Sequence, residues 1–265
     1  MPPIISFMLA NYAFRPLGYR AGAWSDGEQA TSAYFQPIAT FGARFEAYLA
    51  EVRDLGFRAV DLWQPMFDLR WLTDAHLDAA ADLLDRYDLR AVSFAGWLGA
   101  TADEFEHNCE IAAALGAPLL TGSTGVDRRH LVEALRKFGL KWAYENEPET
   151  TPEALLDIIG TDDSDVIGIC ADTGWFGTHG YDAADALRIL APRLLHVHLK
   201  DVRRVGEHVS CRYGAGIVPV ERCVRVLLEG GTGYLGAISV EDESSGGNPT
   251  NDCIANLRAL EAWLS

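Results

Sequence analysis

The stretch Leu194–Asp201 reads LLHVHLKD. Along a β-strand, successive side chains point to opposite faces. His196, His198 and Lys200 therefore share one face, and Val197 and Leu199 take the other. Packing alone does not call for two imidazoles and an ammonium in a row, because every buried polar group needs a partner. Three further apolar runs end in acids: KWAY on Glu145-Asn146-Glu147, VIGICA on Asp172, and AISV on Glu241-Asp242-Glu243. If these ends meet on one rim, three carboxylates and an imidazole converge. Acids that close repel strongly in a low-dielectric mouth, and a divalent cation resolves the repulsion. An O,O,N,O donor set suits Mn²⁺, Co²⁺ or Mg²⁺ better than a thiolate-seeking ion, with Zn²⁺ also admissible.

The elements that would carry these groups alternate along the whole chain. Strand patterns fall at Ile4–Ala10, Arg58–Trp63, Arg90–Ala95, Pro118–Gly122, Lys141–Glu145, Val166–Ala171, Leu194–Leu199 and Ala237–Val240. Helical patterns lie between them: the stripe Phe41, Phe45, Leu49 and Val52, then Thr73–Tyr87, a helix opened by the capping box TADE at Thr101–Glu104, Asp127–Phe138, a helix from Thr151-Pro152, Asp182–Leu190, Pro219–Glu229 and Asp252–Leu264. Units of roughly 30 residues each fit one α/β domain over residues 1–265, a single (β/α)₈ TIM barrel with its active site at the C-terminal strand ends. No GxGxxG follows the first strand, which argues against a doubly wound dinucleotide fold. Residues 11–40 read as one long loop after the first strand, acting as a lid or binding loop and carrying Tyr12, Phe14, Arg15, Tyr19, Arg20 and Trp24.

The 265 residues are 49% hydrophobic with a formal charge of −16. Such a charge opposes nucleic-acid backbone binding. Neither a signal peptide nor a membrane span is read, so no membrane association is expected. Five cysteines without CxxC spacing read as reduced, cytoplasmic thiols.

The blocks YENEPETTPEALLDIIG, IGICADTGWFGTHGYDAADAL, LLHVHLKDV, GAGIV and GAISVEDE, with VDLW and SFAGW earlier, resemble the xylose isomerase-like TIM-barrel superfamily. That group includes tagatose 3-epimerase-like sugar epimerases and inosose dehydratases. The resemblance implies a metal held by Glu145, Asp172, His198 and Glu241, a soluble keto-sugar or polyol ketone as substrate, and a homodimer or homotetramer. In the family the second His of HxH is the usual ligand, which leaves His196 a supporting role or that of a hydrogen-bonded core histidine. Glu147 shares a side of the extended chain with Glu145, so the fifth-strand ligand stays ambiguous; Glu145, which ends the apolar run, is preferred. Where many relatives place a sugar-binding His three residues after the sixth-strand Asp, this chain has Trp175, with His179 further along. Arg204, or Arg203 in its place, has the spacing of a substrate-holding Arg. Trp63, Trp97 and Trp175 would wall the carbon face of a sugar. Lys200 would offset negative charge, polarise a substrate oxygen, or form an ordinary salt bridge to Asp172 or Glu241. Neither GGTG at Gly230–Gly233, at the wrong end of a barrel, nor GAG at Gly214–Gly216 reads as a phosphate site.

A divalent ion chelating a carbonyl and its neighbouring hydroxyl would acidify the C–H between them and stabilise the enediolate. Two carboxylates on opposite faces could remove and return a proton, and the resemblance implies that double duty for Glu145 and Glu241. The expected activity is metal-dependent isomerisation or epimerisation of a keto-sugar. The alternative is dehydration of an inosose or 3-keto-sugar at the same site. A nuclease role meets the wrong charge, and a non-catalytic sugar-binding barrel would not need the full ligand set.

Overall fold

The structure, a computed structural model, describes residues 3–10, 12, 24–229, 234–243 and 248–265. Eight parallel strands close a barrel: β1 (Ile4–Leu9), β2 (Ala59–Trp63), β3 (Arg90–Trp97), β4 (Leu119–Ser123), β5 (Lys141–Glu145), β6 (Ile167–Asp172), β7 (Leu194–Leu199) and, after a hairpin, β10 (Ala237–Asp242). β10 lies between β7 and β1 and completes the ring. The helices are α1 (Trp24–Phe35), α2 (Ile38–Leu55), α3 (Asp74–Arg86), α4 (Ala102–Ala114), α5 (Arg128–Phe138), α6 (Pro152–Ile159), α7 (Thr173–Thr178), α8 (Ala183–Leu190), α9 (Val220–Leu228) and α10 (Thr250–Leu264). The hairpin β8 (Asp201–Arg204) and β9 (Glu207–Cys211) is antiparallel and stands outside the barrel sheet.

Strands covered on both faces read as continuous apolar runs, which is why the eight were visible in sequence. The stripe of α2 buries Phe41, Phe45, Tyr48, Leu49 and Val52, and Phe41 stacks on Phe45 at 5.6 Å between ring centres. At the start of α4, the Thr101 hydroxyl accepts from the Glu104 amide while the Glu104 carboxylate accepts from the Thr101 amide, closing the expected capping box.

Two expectations need correction. Residues 11–40 are not one loop, because α1 occupies Trp24–Phe35 and α2 begins at Ile38. The polar run SDGEQATSA hid α1 by lacking an apolar stripe. Its middle is anchored by polar contacts, with Ser32 donating to Asp68 at 2.7 Å and accepting from the Trp71 indole at 2.8 Å, and its last residue, Phe35, is buried against Phe41 and Phe45. Within that segment Tyr12 is buried and meets Tyr48 edge-to-face, while Phe14, Arg15, Tyr19 and Arg20 lie outside the described residues, as does the GGTG stretch. The chain after Lys200 is likewise not an open loop but the β8–β9 hairpin.

The barrel interior is polar where its strands approach the C-terminal rim. Register places Ser239 and Asp172 level with His198, and Ala237 and Cys170 level with His196. Deeper, Ser6, Asp61, Ser93, Thr121 and His196 are buried, where barrels of this kind usually stack branched aliphatic side chains. Gly122 on β4 has φ +111°, and a Cβ there would stand 2.1 Å from the Gly96 carbonyl oxygen on β3. Backbone cannot yield to that contact, so Gly122→Ala is expected to cost at least about 2 kcal/mol; urea unfolding against wild type measures it.

Candidate active site

Glu145, Asp172 and Glu241, on β5, β6 and β10, reach one point at the C-terminal rim, and their ligating oxygens lie within 4.8 Å of one another. His198 joins them from β7. Its Nδ1 is 2.6 Å from Glu145 Oε1 and 3.4 Å from Glu241 Oε2. The four side chains singled out in sequence therefore converge. Glu145 remains 20% exposed while Glu241 is 2% exposed, so Glu145 faces the opening and Glu241 the wall.

Backbone contacts fix this placement. Asn146 donates from its side chain to the Asp172 carbonyl at 3.0 Å and accepts from the Asp172 amide at 2.8 Å, tying the end of β5 to the end of β6. Asp172 Oδ1 accepts from the Gly174 amide at 2.7 Å and caps α7, which directs Oδ2 to the site.

Lys200 sits among the acids with its side chain 1% exposed. Its Nζ is 3.0 Å from Asp172 Oδ2 and 3.0 Å from Glu241 Oε2, and it also bonds Glu243. Thr173 Oγ1 accepts from the Lys200 amide and donates to its carbonyl, both at 2.8 Å. The aliphatic stem crosses Gly174, where a Cβ would stand 2.7 Å from Lys200 Cδ. Of the expected roles, charge compensation and ion pairing to both Asp172 and Glu241 are realised.

The two site glutamates are driven apart. Burial pushes Glu145 up, but the charge and hydrogen bond of His198, helped by Lys200, outweigh it and leave its carboxyl below the ordinary range. Burial also pushes Glu241 up; Lys200 and His198 oppose this, Glu243 and Asp172 reinforce it, and its carboxyl ends well above the ordinary range. Burial works against the charge on Lys200, yet Asp172, Glu241 and Glu243 raise its pKa well above that of a free lysine. Glu243 is held low because Lys200 and His208 outweigh its burial. Among these groups, four carboxyl groups gather about one ammonium and the His198 imidazole, and Glu241 Oε2 is a buried oxygen without a hydrogen-bond donor in good geometry. Excess negative charge, an under-satisfied oxygen and a hard donor set together fit a divalent cation.

The other expected residues divide. His196 lies one layer deeper, with Nε2 2.8 Å from Asp61 Oδ1, and its ring meets His198 edge-to-face at 5.1 Å; it supports the site from below. Glu147 stands at the rim, where partial desolvation of its carboxyl together with the charges of Glu145 and Glu243 raises its pKa. His179, at the end of α7, has its ring Nε2 2.8 Å from the Glu147 carbonyl. Trp175 is not open for sugar stacking as expected, because the rings of His208 and His179 stack on it at 3.7 and 5.8 Å. Arg204 is also corrected: it pairs with Glu207 across the hairpin turn, with its side chain 71% exposed. It ends β8, just before the turn into β9. Arg203 is exposed on the same strand. Trp63 is buried at the end of β2, and Trp97 is half-exposed at the end of β3.

Sequence reasoning missed Asn146, Glu243, Asp61 and His208 as parts of this assembly. Asn146 and Glu243 stood next to residues already chosen. Asp61 had a signal in the alternation of VDLW, which turns Asp61 and Trp63 to one face. His208 had none, since only the hairpin brings it here.

A family model described as xylose isomerase-like TIM barrel matches residues 49–263. An inosose dehydratase of Mesomycoplasma hyopneumoniae is 26% identical over 158 residues, 46% of this chain and 52% of that protein. The chain spans about half the length of the curated relatives it matches. Among solved structures, an L-ribulose 3-epimerase superposes with a TM-score of 0.67 at 16% identity, covering 100% of this chain and 95% of the other. A xylose isomerase-like TIM barrel protein from Mycobacterium smegmatis in complex with magnesium gives a TM-score of 0.67 at 18% identity, covering 100% and 97%. Among the described residues no helix is long and apolar enough to cross a membrane.

Lys200→Met would leave Asp172, Glu241 and Glu243 without their shared counter-charge. Unfolding free energy at pH 7 is expected to fall by about 3–5 kcal/mol. The deficit should shrink towards pH 5 as the carboxylates of the variant protonate. In wild type the lysine's contribution is complete below its ordinary pKa of about 10.4 and is lost only above its raised folded value. Urea titrations at both pH values decide; a deficit equal at pH 5 and pH 7 would contradict the charge account.

Proposed function

The chain belongs to the xylose isomerase-like TIM barrel family, and from that footing we propose that it is a divalent-metal-dependent enzyme that deprotonates the carbon beside the carbonyl of a keto-sugar or polyol ketone. The observation that carries this reading is the convergence of Glu145, Asp172 and Glu241 within 4.8 Å, with the His198 imidazole against two of them.

Glu145, Asp172, His198 and Glu241 would hold the ion. When bound, it supplies Lewis-acid stabilisation of the negative charge that develops on substrate oxygen. The protein's own groups do the proton work. Glu145 is the exposed member and keeps its carboxyl ionised, so it takes the proton. Glu241 keeps its proton more readily and can return one from the wall side. Lys200 holds Asp172 and Glu241 in place and tempers their mutual repulsion. Asn146 keeps the two ligand-bearing strand ends together.

Return of the proton completes an isomerisation or epimerisation, the first reading. Loss of a neighbouring hydroxyl instead completes a dehydration. The relative named inosose dehydratase favours that second reading, and the L-ribulose 3-epimerase likeness is one of fold. The substrate is a small molecule in both.

The test combines metal analysis of protein purified without chelator with incubation of inosose, D-tagatose and L-ribulose in D₂O. Exchange of the carbon-bound proton is expected in metal-loaded wild type. Glu145→Gln and Glu241→Gln should each slow it by about 10²–10⁴-fold. Epimer formation or appearance of an unsaturated ketone then separates the two outcomes. Undiminished exchange in both variants, or in chelator-treated protein, would sink the proposal.

A further inference from the structure

Beneath the carboxylates the barrel holds a sulfur. Cys170 and Asp172 stand two positions apart on β6, so both turn to the barrel interior. Register sets Asp172 level with His198 and Cys170 one layer lower, level with His196. Cys170 is a free, fully buried thiol packed with Leu119 and Ala143, and it stands beside the His198 imidazole. Glu145, Cys170 and His198 form a donor set of their own: an oxygen, a sulfur and a nitrogen, all within 4.8 Å of one another. Cys109, Cys211, Cys223 and Cys253 belong to no such set among the described residues.

A buried cysteine ordinarily serves as a small apolar side chain. This one shares its donor set with two of the four residues that would hold the ion, Glu145 and His198. The His198 ring is also fixed on one side only, because its buried Nε2 finds no hydrogen-bond partner. Donor softness then divides the site into two levels. The upper level offers three carboxylates and an imidazole, which suit Mg²⁺ or Mn²⁺. The lower level replaces two of those carboxylates by sulfur, which suits Zn²⁺ or Cd²⁺. Bonds of about 2.0–2.3 Å nearly span a set this narrow, and side-chain torsions close the remainder. Glu145, 20% exposed, faces the opening and gives an ion its way in. Since Glu145 and His198 serve both levels, an ion held below takes two ligands from the level above.

We propose that Glu145, Cys170 and His198 form a thiophilic cation site directly beneath the hard-ion site, and that Zn²⁺ or Cd²⁺ seated there displaces the Mg²⁺-type ion and silences the enzyme. The metal–sulfur bond forms as the S–H bond breaks, and the proton leaves to water. The sulfur ligation stands on the geometry alone; the displacement deepens the function proposed above and rests on its metal reading.

The test uses the full chain stripped with chelator and reloaded with Cd²⁺ or Mg²⁺. Cd²⁺ should raise a sulfur-to-metal charge-transfer absorption in the ultraviolet that saturates at one equivalent. Cys170→Ser should abolish that absorption and weaken Cd²⁺ binding by about tenfold or more, while Mg²⁺ affinity, measured by titration calorimetry, changes by less than about threefold. The ¹¹³Cd resonance of the wild-type complex reads the same ligation without a variant, because sulfur moves it downfield of a site built from oxygen and nitrogen. In D₂O, one equivalent of Cd²⁺ should lower Mg²⁺-supported C–H exchange by about tenfold or more. A wild-type Cd²⁺ complex with neither the absorption nor the sulfur-shifted resonance overturns the proposal, as does an absorption that survives in Cys170→Ser. Sulfur ligation in a protein that neither binds Mg²⁺ nor exchanges a C–H proton overturns the hard-ion reading and leaves the Cys170 site standing. Mg²⁺-supported exchange that Cd²⁺ leaves untouched overturns the displacement.

Discussion

A single buried ammonium holds the mouth of this barrel together. Lys200 reaches Asp172 from β6, Glu241 from β10 and Glu243 just beyond it, while its own backbone is clasped by Thr173. Without a positive centre, strand ends carrying this many carboxylates would not pack side by side in a region so poor in water. Strand-end acids, the HxHxK pattern of β7 and the glycine at position 174 are thus parts of one electrostatic arrangement. Its acid-rich donor set is the feature on which the proposed dication site rests.

The same arrangement separates two chemically identical residues. Glu145 and Glu241 differ only in what surrounds them: one meets an imidazole at the opening, the other lies against the wall among like charges. In the proposed reaction, environment rather than residue type would assign acid and base. Beneath them the carboxylate of Asp61, held low because the charge and hydrogen bond of His196 outweigh its burial, forms a second polar tier. The barrel therefore carries polar side chains through its depth, and the aliphatic and aromatic core is displaced outward to the strand–helix interface.

The fold was legible because its signal is repetitive. Eight doubly buried strands and their capped helices repeat one pattern, and each observed strand falls within a residue or two of its expected position. The convergence of Glu145, Asp172, His198 and Glu241 was legible because a carboxylate ending an apolar run of a barrel strand already has a location at the rim. Legibility failed where position depends on tertiary contact. Helix α1 has a polar sequence and was invisible to hydrophobic periodicity. Arg204 was assigned by spacing along the chain, but β8 carries it out to the surface, where it pairs with Glu207. Trp175 was given a sugar to stack on, when the structure gives it imidazoles. His208 lies ten residues beyond His198 in sequence, and only the pairing of β8 with β9 folds it back.

The reciprocal pair of bonds between the Asn146 side chain and the Asp172 backbone has a mechanical meaning. It pins two neighbouring staves at their tips, so they cannot slide past each other without rupturing both links. The spacing of the Glu145 and Asp172 anchor points is thereby tied to the register of β5 on β6, and loosening it requires both links to open.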